Sequence, residues 1–443
     1  MSIIKFVEEA KLSSFHYMLL LICSLIYCLT AMNTMLIAAV LVPIISEFGL
    51  ESNPLLSGLL VSAGYLGMFV GALSCGILAD RIGRRRSLIV TTSMMSVFTA
   101  LNSIARDPLS IAILRFVAGI GLGGSLPQPG IYISEYIPSK YRGRFLGLVE
   151  TSWVYGALLS LLFPYILLPK FGWRTTFLVS LIPLILIPPI ILFVPESLRY
   201  LQLKGDLNTA LNILKKHNLI PEGVEFKGAF EGYVAKSYRV SEALRRLWSR
   251  NYWKRTLMLW ILWASLVYTY HGIFIWLPAI YVREFGFTIV KSLEWTLIVT
   301  LAQVPGYYSA ALMLDHVGRK PIEVLYLLAA GFGSFMLSIS RDPTSILICS
   351  IIISFFNLGA WSALYAYTPE LYPTEIRGTG SGVAASIGRI AGIIAPTATP
   401  LIYTYWGLNA AFTVFASIHF LGALATLILG FETKGRTLEE LAK

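Results

Sequence analysis

Gly76-Ile77-Leu78-Ala79-Asp80-Arg81-Ile82-Gly83-Arg84-Arg85-Arg86 is a short charged loop between two long apolar runs. A weaker copy, Asp315-His316-Val317-Gly318-Arg319-Lys320, stands 235 positions later. The same offset carries Arg106-Asp107-Pro108 onto Arg341-Asp342-Pro343. It also carries Glu135, Pro138, Arg142 and Gly143 onto Glu370, Pro373, Arg377 and Gly378, and Pro43 onto Pro278. One offset holding over four separate regions marks an internal duplication, so the chain is read as two tandem halves.

Between these markers the sequence is too apolar for water. Of its 443 residues, 56% are hydrophobic and 13% charged, against roughly a quarter charged in a soluble domain. Apolar runs of about twenty residues recur from end to end, each long enough to cross the hydrocarbon core as a helix. A barrel would need short alternating strands instead. Spans are expected at 15–39, 54–78, 87–105, 109–134, 144–168, 174–193, 255–282, 292–314, 321–340, 344–368, 379–404 and 408–430. The fold class is therefore an all-α membrane protein, with twelve transmembrane helices in two pseudo-symmetric six-helix bundles. A parallel duplication of six spans relates the bundles by an axis along the membrane normal, which requires Asp80 and Asp315 to share one face. The first bundle is expected at 1–193 and the second, with its tail, at 254–443. The polar stretch 194–253 reads as a linker with short amphipathic helices, such as Ala210 to Lys216 and Ser241 to Arg250.

The formal charge of +11 is a matter of placement. Of 35 Lys and Arg, only Arg106, Lys170, Arg174, Arg283, Lys291 and Arg341 fall on one side, and Arg115 and Arg389 fall within spans; the rest fall on the other side. That is the positive-inside bias, which predicts both termini in the cytoplasm and argues against nucleic acid as a partner. The four cysteines, Cys23, Cys28, Cys75 and Cys349, sit in apolar runs without ligand-like spacing. They read as packing residues, with no metal and no disulfide framework. The first apolar run is too long for a cleavable signal and is expected to persist as a span.

The loop Gly76–Arg86, between the second and third spans and repeated in the second half, resembles the loop signature of the major facilitator superfamily. The likeness implies alternating access, with a charged gate at the cytoplasmic ends. Asp80, Arg84, Glu135 and Arg142 would meet Asp315, Arg319, Glu370 and Arg377 across the two halves. Pro195-Glu196-Ser197-Leu198-Arg199 and Glu432-Thr433-Lys434-Gly435-Arg436-Thr437-Leu438-Glu439 resemble tags shared by sugar porters and organic-ion transporters. The seventh span lacks the paired amides of sugar porters, and the fifth lacks the Gly-Pro pattern of drug-proton antiporters. Three stretches are similar to the niacin-transporter-like group related to synaptic-vesicle and organic-ion transporters. They are Leu148-Val149-Glu150-Thr151-Ser152-Trp153, Gln303-Val304-Pro305-Gly306-Tyr307, and the run from Tyr367 through Gly388-Arg389 to Pro396.

Ionisable groups at mid-bilayer cost roughly 2.5–3.5 kcal/mol on insertion scales, so each needs a reason. Arg389 has the uncharged repeat-mate Val154. The resemblance places it on the cavity, where its planar fork suits a carboxylate. Arg115 opens a glycine-rich stretch in the fourth span. The resembling group carries two acids in its first span, where this chain has Thr30-Ala31-Met32-Asn33. Arg115 is then either a counter-ion for a substrate carboxylate or a structural tie to the first span and Asn33. Glu150 is either a proton carrier or a fixed partner of Arg389. Tyr27, Gln128, Trp153, Tyr268, His271, Gln303, Tyr307, Asn357, Trp361 and Tyr365 are the aromatic and polar candidates for substrate contact, with packing as the alternative at each.

No nucleotide-binding loop, catalytic triad or metal cluster stands out, so the reading is a transporter, without enzymatic activity and without cofactor. The expected substrate is a small organic anion, an aromatic or heterocyclic carboxylate of nicotinate type, moved across the cell membrane by a monomer, with proton coupling open. Transport of a sugar or organic cation, or a non-transporting receptor, are the alternatives.

Overall fold

The computed structural model describes residues 7–8, 10–220 and 240–435, which are helices joined by short turns. The linker stretch 221–239 and residues 436–439 of the second tag lie outside the described residues. Ten helical stretches are long and apolar enough to cross a membrane. Two of them, Ser139–Phe193 and Glu375–Leu429, run for 55 residues, twice a bilayer's need. Each breaks at one glycine with positive φ, Gly172 (73°) and Gly407 (80°). Only glycine adopts this backbone without strain. Splitting there gives the twelve spans expected, and the breaks themselves obey the 235-residue offset.

The elements are α1 (Ser14–Glu47), α2 (Pro54–Ile82), α3 (Arg84–Ala100), α4 (Pro108–Ser125), α5 (Gln128–Tyr136), α6 (Ser139–Thr176) and α7 (Ile187–Phe193). Beyond them come the short α8 (Leu198–Lys204), α9 (Leu207–Lys216) and α10 (Val240–Leu247). The second half holds α11 (Trp253–Phe285), α12 (Ile289–Leu301), α13 (Gln303–Val317), α14 (Arg319–Ile339), α15 (Pro343–Glu370) and α16 (Thr374–Leu429). Several spans overrun their apolar windows. The first continues past Ala39 and through Pro43, because Val40, Leu41 and Ile44 are covered by protein at that end.

Small residues set the helix spacing. Gly67 and Gly71 of α2 face Phe116 and Ile120 of α4, while Gly119 and Gly123 face Gly64 and Met68. Side chains there would collide with backbone, so these glycines let the two helices touch main chain to main chain.

The halves meet where α1 packs on α11 and along two flanking seams. On one, α2 runs antiparallel to α16: Gly58 lies against Pro396 and Thr397, and Ser62 Oγ donates to Ile393 O at 2.7 Å. On the other, α6 meets α12 and α13, with Leu161 packed on Leu293 and Ala39 and the Tyr155 and Tyr308 hydroxyls 3.3 Å apart. The antiparallel α2–α16 contact brings Asp80, Asp315 and the start of α16 to one end, here called the basic face. Every hydrogen bond between described residues of the two halves lies at mid-depth or toward the other end. The arrangement is closed at the opposite face and parted at the basic one.

A Cβ at Gly58 would stand 2.6 Å from Thr397 Cα, so the seam cannot close over a side chain. Gly58→Val is expected to shift the population toward the state open at the opposite face. A cysteine placed at Ser46 should then react faster with an impermeant thiol reagent; unchanged labelling would show that the seam tolerates the bulk.

Candidate functional site

Between the seams lies a cavity of about 290 Å³ that both halves line. Eight aromatic side chains line it: Tyr27, Tyr65, Trp153, Trp263, Tyr270, Tyr307, Trp361 and Tyr365. Two charged side chains line it, Glu150 from α6 and Arg389 from α16. They form no ion pair with each other, since no pair within 4.0 Å joins them. Arg389 Nη1 makes one long hydrogen bond, 3.4 Å to Met68 O on α2. Among the described residues Glu150 has no hydrogen-bond or ion-pair partner, so the fixed Glu150–Arg389 pair is not formed.

The remaining polar atoms are partly committed. Trp153 Nε1 donates to Tyr270 Oη at 2.9 Å, joining α6 to α11. The Tyr27 and Tyr365 hydroxyls stand 3.5 Å apart across the halves. His271 is anchored through Nδ1 to Val267 O at 2.9 Å and meets the Tyr65 ring edge-on. Two buried polar atoms are left without partners, Trp361 Nε1 and Tyr65 Oη. Buried donors of this kind are rare unless something else satisfies them. Arg389, Glu150, Tyr27, Trp153, His271, Tyr307, Trp361 and Tyr365 therefore share one chamber, as expected from sequence.

Six other candidates do not line it. Gln128 Nε2 bonds Gly124 O, Thr91 Oγ1 and Ser87 Oγ, tying α5 to α3. Asn33 reaches Ser180 O in the sixth span. Asn357 lies between Thr269 Oγ1 and His419 Nε2, at 3.0 Å from each, inside the second half. Tyr268 packs on Phe415. Gln303 faces a small separate pocket beside Tyr270. Arg115 is 2% exposed and lies against Gly64 on α2, not on the first span, with Nε and Nη1 unpartnered. Helix faces explain these outcomes: Gln128, Asn33 and Asn357 point to partners within their own half, and Arg115 fills the gap left by Gly64. Tyr65 carried no special mark in the sequence. Its signal is the row Gly64, Gly67 and Gly71, which fixes one face of α2 on α4 and turns Tyr65 toward the chamber.

The basic face differs from the cross-half gate expected. Arg84 faces Glu135 at 3.5 Å, and Arg319 holds Glu370 at 3.0 Å and Asp315 at 3.2 Å. Arg142 pairs with Glu8 at 2.6 Å, and Arg377 Nε donates to Tyr372 O. All of these lie within one half; Asp80 is exposed and unpaired among the described residues. The halves have separated here, so each cluster closes on itself. The two tags have a role that their sequence did not disclose. Glu196 accepts the Arg84 and Arg85 amides at 2.7 and 3.2 Å, and Glu432 accepts those of Arg319 and Lys320 at 3.1 Å each. Gly83 (φ 99°) and Gly318 (φ 112°) leave the space, and the free amides and dipole of each helix start favour the carboxylate. Ser197 and Thr433 then bond Glu135 and Glu370.

Comparison with known proteins agrees with this geometry. The sequence profile of the family described as sugar (and other) transporter matches residues 19–443. The niacin transporter NiaP of Acinetobacter baylyi is 37% identical over 447 residues, covering all of both chains. A putative niacin/nicotinamide transporter NiaP of Bacillus subtilis is 35% identical over 379 residues, 85% of this chain and 87% of that one. Among solved structures, the xylose transporter XylE from E. coli in a partially occluded inward open conformation superposes with a TM-score of 0.75. It covers 96% of this chain and 100% of its own at 20% identity, which shows a shared fold.

Glu8 gives a pH test of the basic face. Burial raises its pKa, but hydrogen bonds from Ser139 and Arg142, with the guanidinium charge, more than offset that and hold it below the ordinary carboxylate range. A depressed folded pKa contributes stability that is present above the unfolded value of about 4.3 and lost as pH falls through the folded one. The Tm of detergent-solubilised Glu8→Gln should lie below wild type at neutral pH, and the gap should close below about pH 4. A gap that persists in acid would assign Glu8 a packing role instead.

Proposed function

Because this chain belongs to the family of sugar (and other) transporters, we propose that it carries a small organic anion, an aromatic or heterocyclic carboxylate of nicotinate type. The observation that carries the reading is Arg389. It is the cation of a chamber rich in aromatic side chains, held by one long bond and without an acid partner among the described residues, with Trp361 Nε1 and Tyr65 Oη as unpartnered groups of the same chamber. A carboxylate fills the fork in two bonds, while the flat ring stacks among Trp and Tyr. Two relatives named as niacin transporters support the class. A sugar would need amide or carboxylate partners for several hydroxyls, and among the described residues Glu150 is the one such side chain lining the chamber, with no Asn or Gln.

The transport cycle in this reading is alternating access by a monomer in the cell membrane, between halves 1–193 and 254–443 joined by linker 194–253. Both termini and the basic face lie in the cytoplasm, so the arrangement described is open inward. Glu150 is the candidate proton carrier. The basic face closes when the halves rock together and Asp80 and Asp315 come within reach of Arg142 and Arg377.

Arg389→Ala removes the fork. A charged hydrogen bond contributes roughly 1.5–3 kcal/mol, so nicotinate affinity should fall about ten- to a hundredfold. Arg389→Lys should recover only part, since a point charge cannot hold two oxygens in plane. Equilibrium binding to monodisperse protein decides it, and wild-type affinity in a folded Arg389→Ala protein would overturn the reading. For the gate, Asp80→Asn should weaken the state closed at the basic face, seen as faster labelling of a cysteine at Gly130; unchanged labelling would remove Asp80 from the gate.

A further inference from the structure

The chamber has two charged ends, and the carboxylate reading uses one. Arg389 sits on the seam where α16 meets α2. Glu150 sits on α6, the helix that makes the other seam with α12 and α13. The two therefore enter one chamber from different halves and different seams, and no ion pair joins them. Tyr27 and Tyr365, their hydroxyls 3.5 Å apart, line the same chamber. Glu150 has no partner of its own among the described residues. Glu150 is half-buried and its side chain lines the cavity, so a ligand held there can meet its carboxyl. An anion bound at Arg389 does nothing for it unless the same molecule also presents a polar atom at its far end.

We infer that Glu150 is a specificity-determining residue that reads a basic ring nitrogen, so that the substrate class is the pyridine-type carboxylate rather than aromatic carboxylates at large. This rests on the carboxylate reading of Arg389 and adds the second contact. As a carboxylic acid, Glu150 donates its proton to the ring nitrogen lone pair; as a carboxylate, it accepts from a protonated ring nitrogen. Either way one proton lies between one oxygen and one nitrogen, and no bond between heavy atoms changes. An acid of the same shape with carbon in place of that nitrogen leaves Glu150 unpaired. A site built to hydrogen-bond its ligand discriminates strongly against the analogue that lacks the polar atom.

The test compares nicotinate with benzoate, which differ by that one atom, by equilibrium binding to the purified full-length protein. The wild type should bind nicotinate at least about tenfold more tightly, the size of one hydrogen bond to a charged group. Glu150→Ala should bring the two affinities within about threefold, nicotinate losing its ring-nitrogen contact while benzoate binding is kept or strengthened. Arg389→Ala should weaken both acids together. Retained benzoate binding certifies that the Glu150→Ala protein is folded. The wild-type comparison needs no variant at all: equal affinity for the two acids overturns the ring-nitrogen contact and leaves the anion site standing. A nicotinate preference that survives in Glu150→Ala also overturns it. Wild-type protein that binds neither acid overturns the carboxylate reading, and this inference with it.

Discussion

The halves come closest where Gly58 lies on Pro396 and Thr397 with no side chain between them. That backbone contact governs the rest of the interior. It fixes the crossing of α2 on α16 and closes the opposite face. Two to three turns further along the same seam it brings Arg389 to the Met68 carbonyl. The second seam is built differently, from interleaved Leu161 and Leu293 and a tyrosine pair. One seam is a rigid approach of main chains and the other a sliding contact of side chains. A rocking motion needs one of each: a fulcrum that keeps register and a surface that repacks.

The chamber gathers its charges against the general tendency of the molecule. Elsewhere, buried polar side chains are consumed inside one half, as in the Asn357–His419–Thr269 group or Gln128 with Thr91. Those bonds make each half a rigid body. Along the chamber wall, Trp361 Nε1, Tyr65 Oη and the Glu150 carboxyl are left short of partners among the described residues, and a ligand in the cavity is in place to complete them. What separates site from scaffold is that the open polar groups of the chamber come from both halves and line one cavity.

This distinction explains how much could be read from sequence. The fold was legible because lipid permits so few backbone solutions, and because duplication writes each decisive turn twice. Gly83 with Gly318, and Gly172 with Gly407, mark the same turns in both halves. Arg389 and Glu150 were legible because a charge in a span without a charged repeat-mate is not explained by architecture. Asn357, Gln128 and Asn33 were not separable from them, because a mid-span amide looks alike whether it faces a chamber or a neighbour's carbonyl. The cross-half gate is not assembled in this arrangement, because a sequence records which charges exist, and the spacing of the halves decides which of them meet. The caps made by Glu196 and Glu432 were invisible because each joins residues about 110 positions apart.

Those caps bear on how the chain is assembled. The amides that open α3 wait for Glu196, and those that open α14 wait for Glu432, which follows the last span. During synthesis each half thus emerges with a helix start unsatisfied until its own sixth span has been delivered. Closing the cap is the step that reports completion, first for one half and then for the other. A ribosome that stalled between positions 320 and 432 would leave a finished first bundle beside a second whose third helix still offers bare amides to the surroundings. Such exposed backbone is the kind of mark by which a membrane quality-control system could tell a half-made transporter from a whole one.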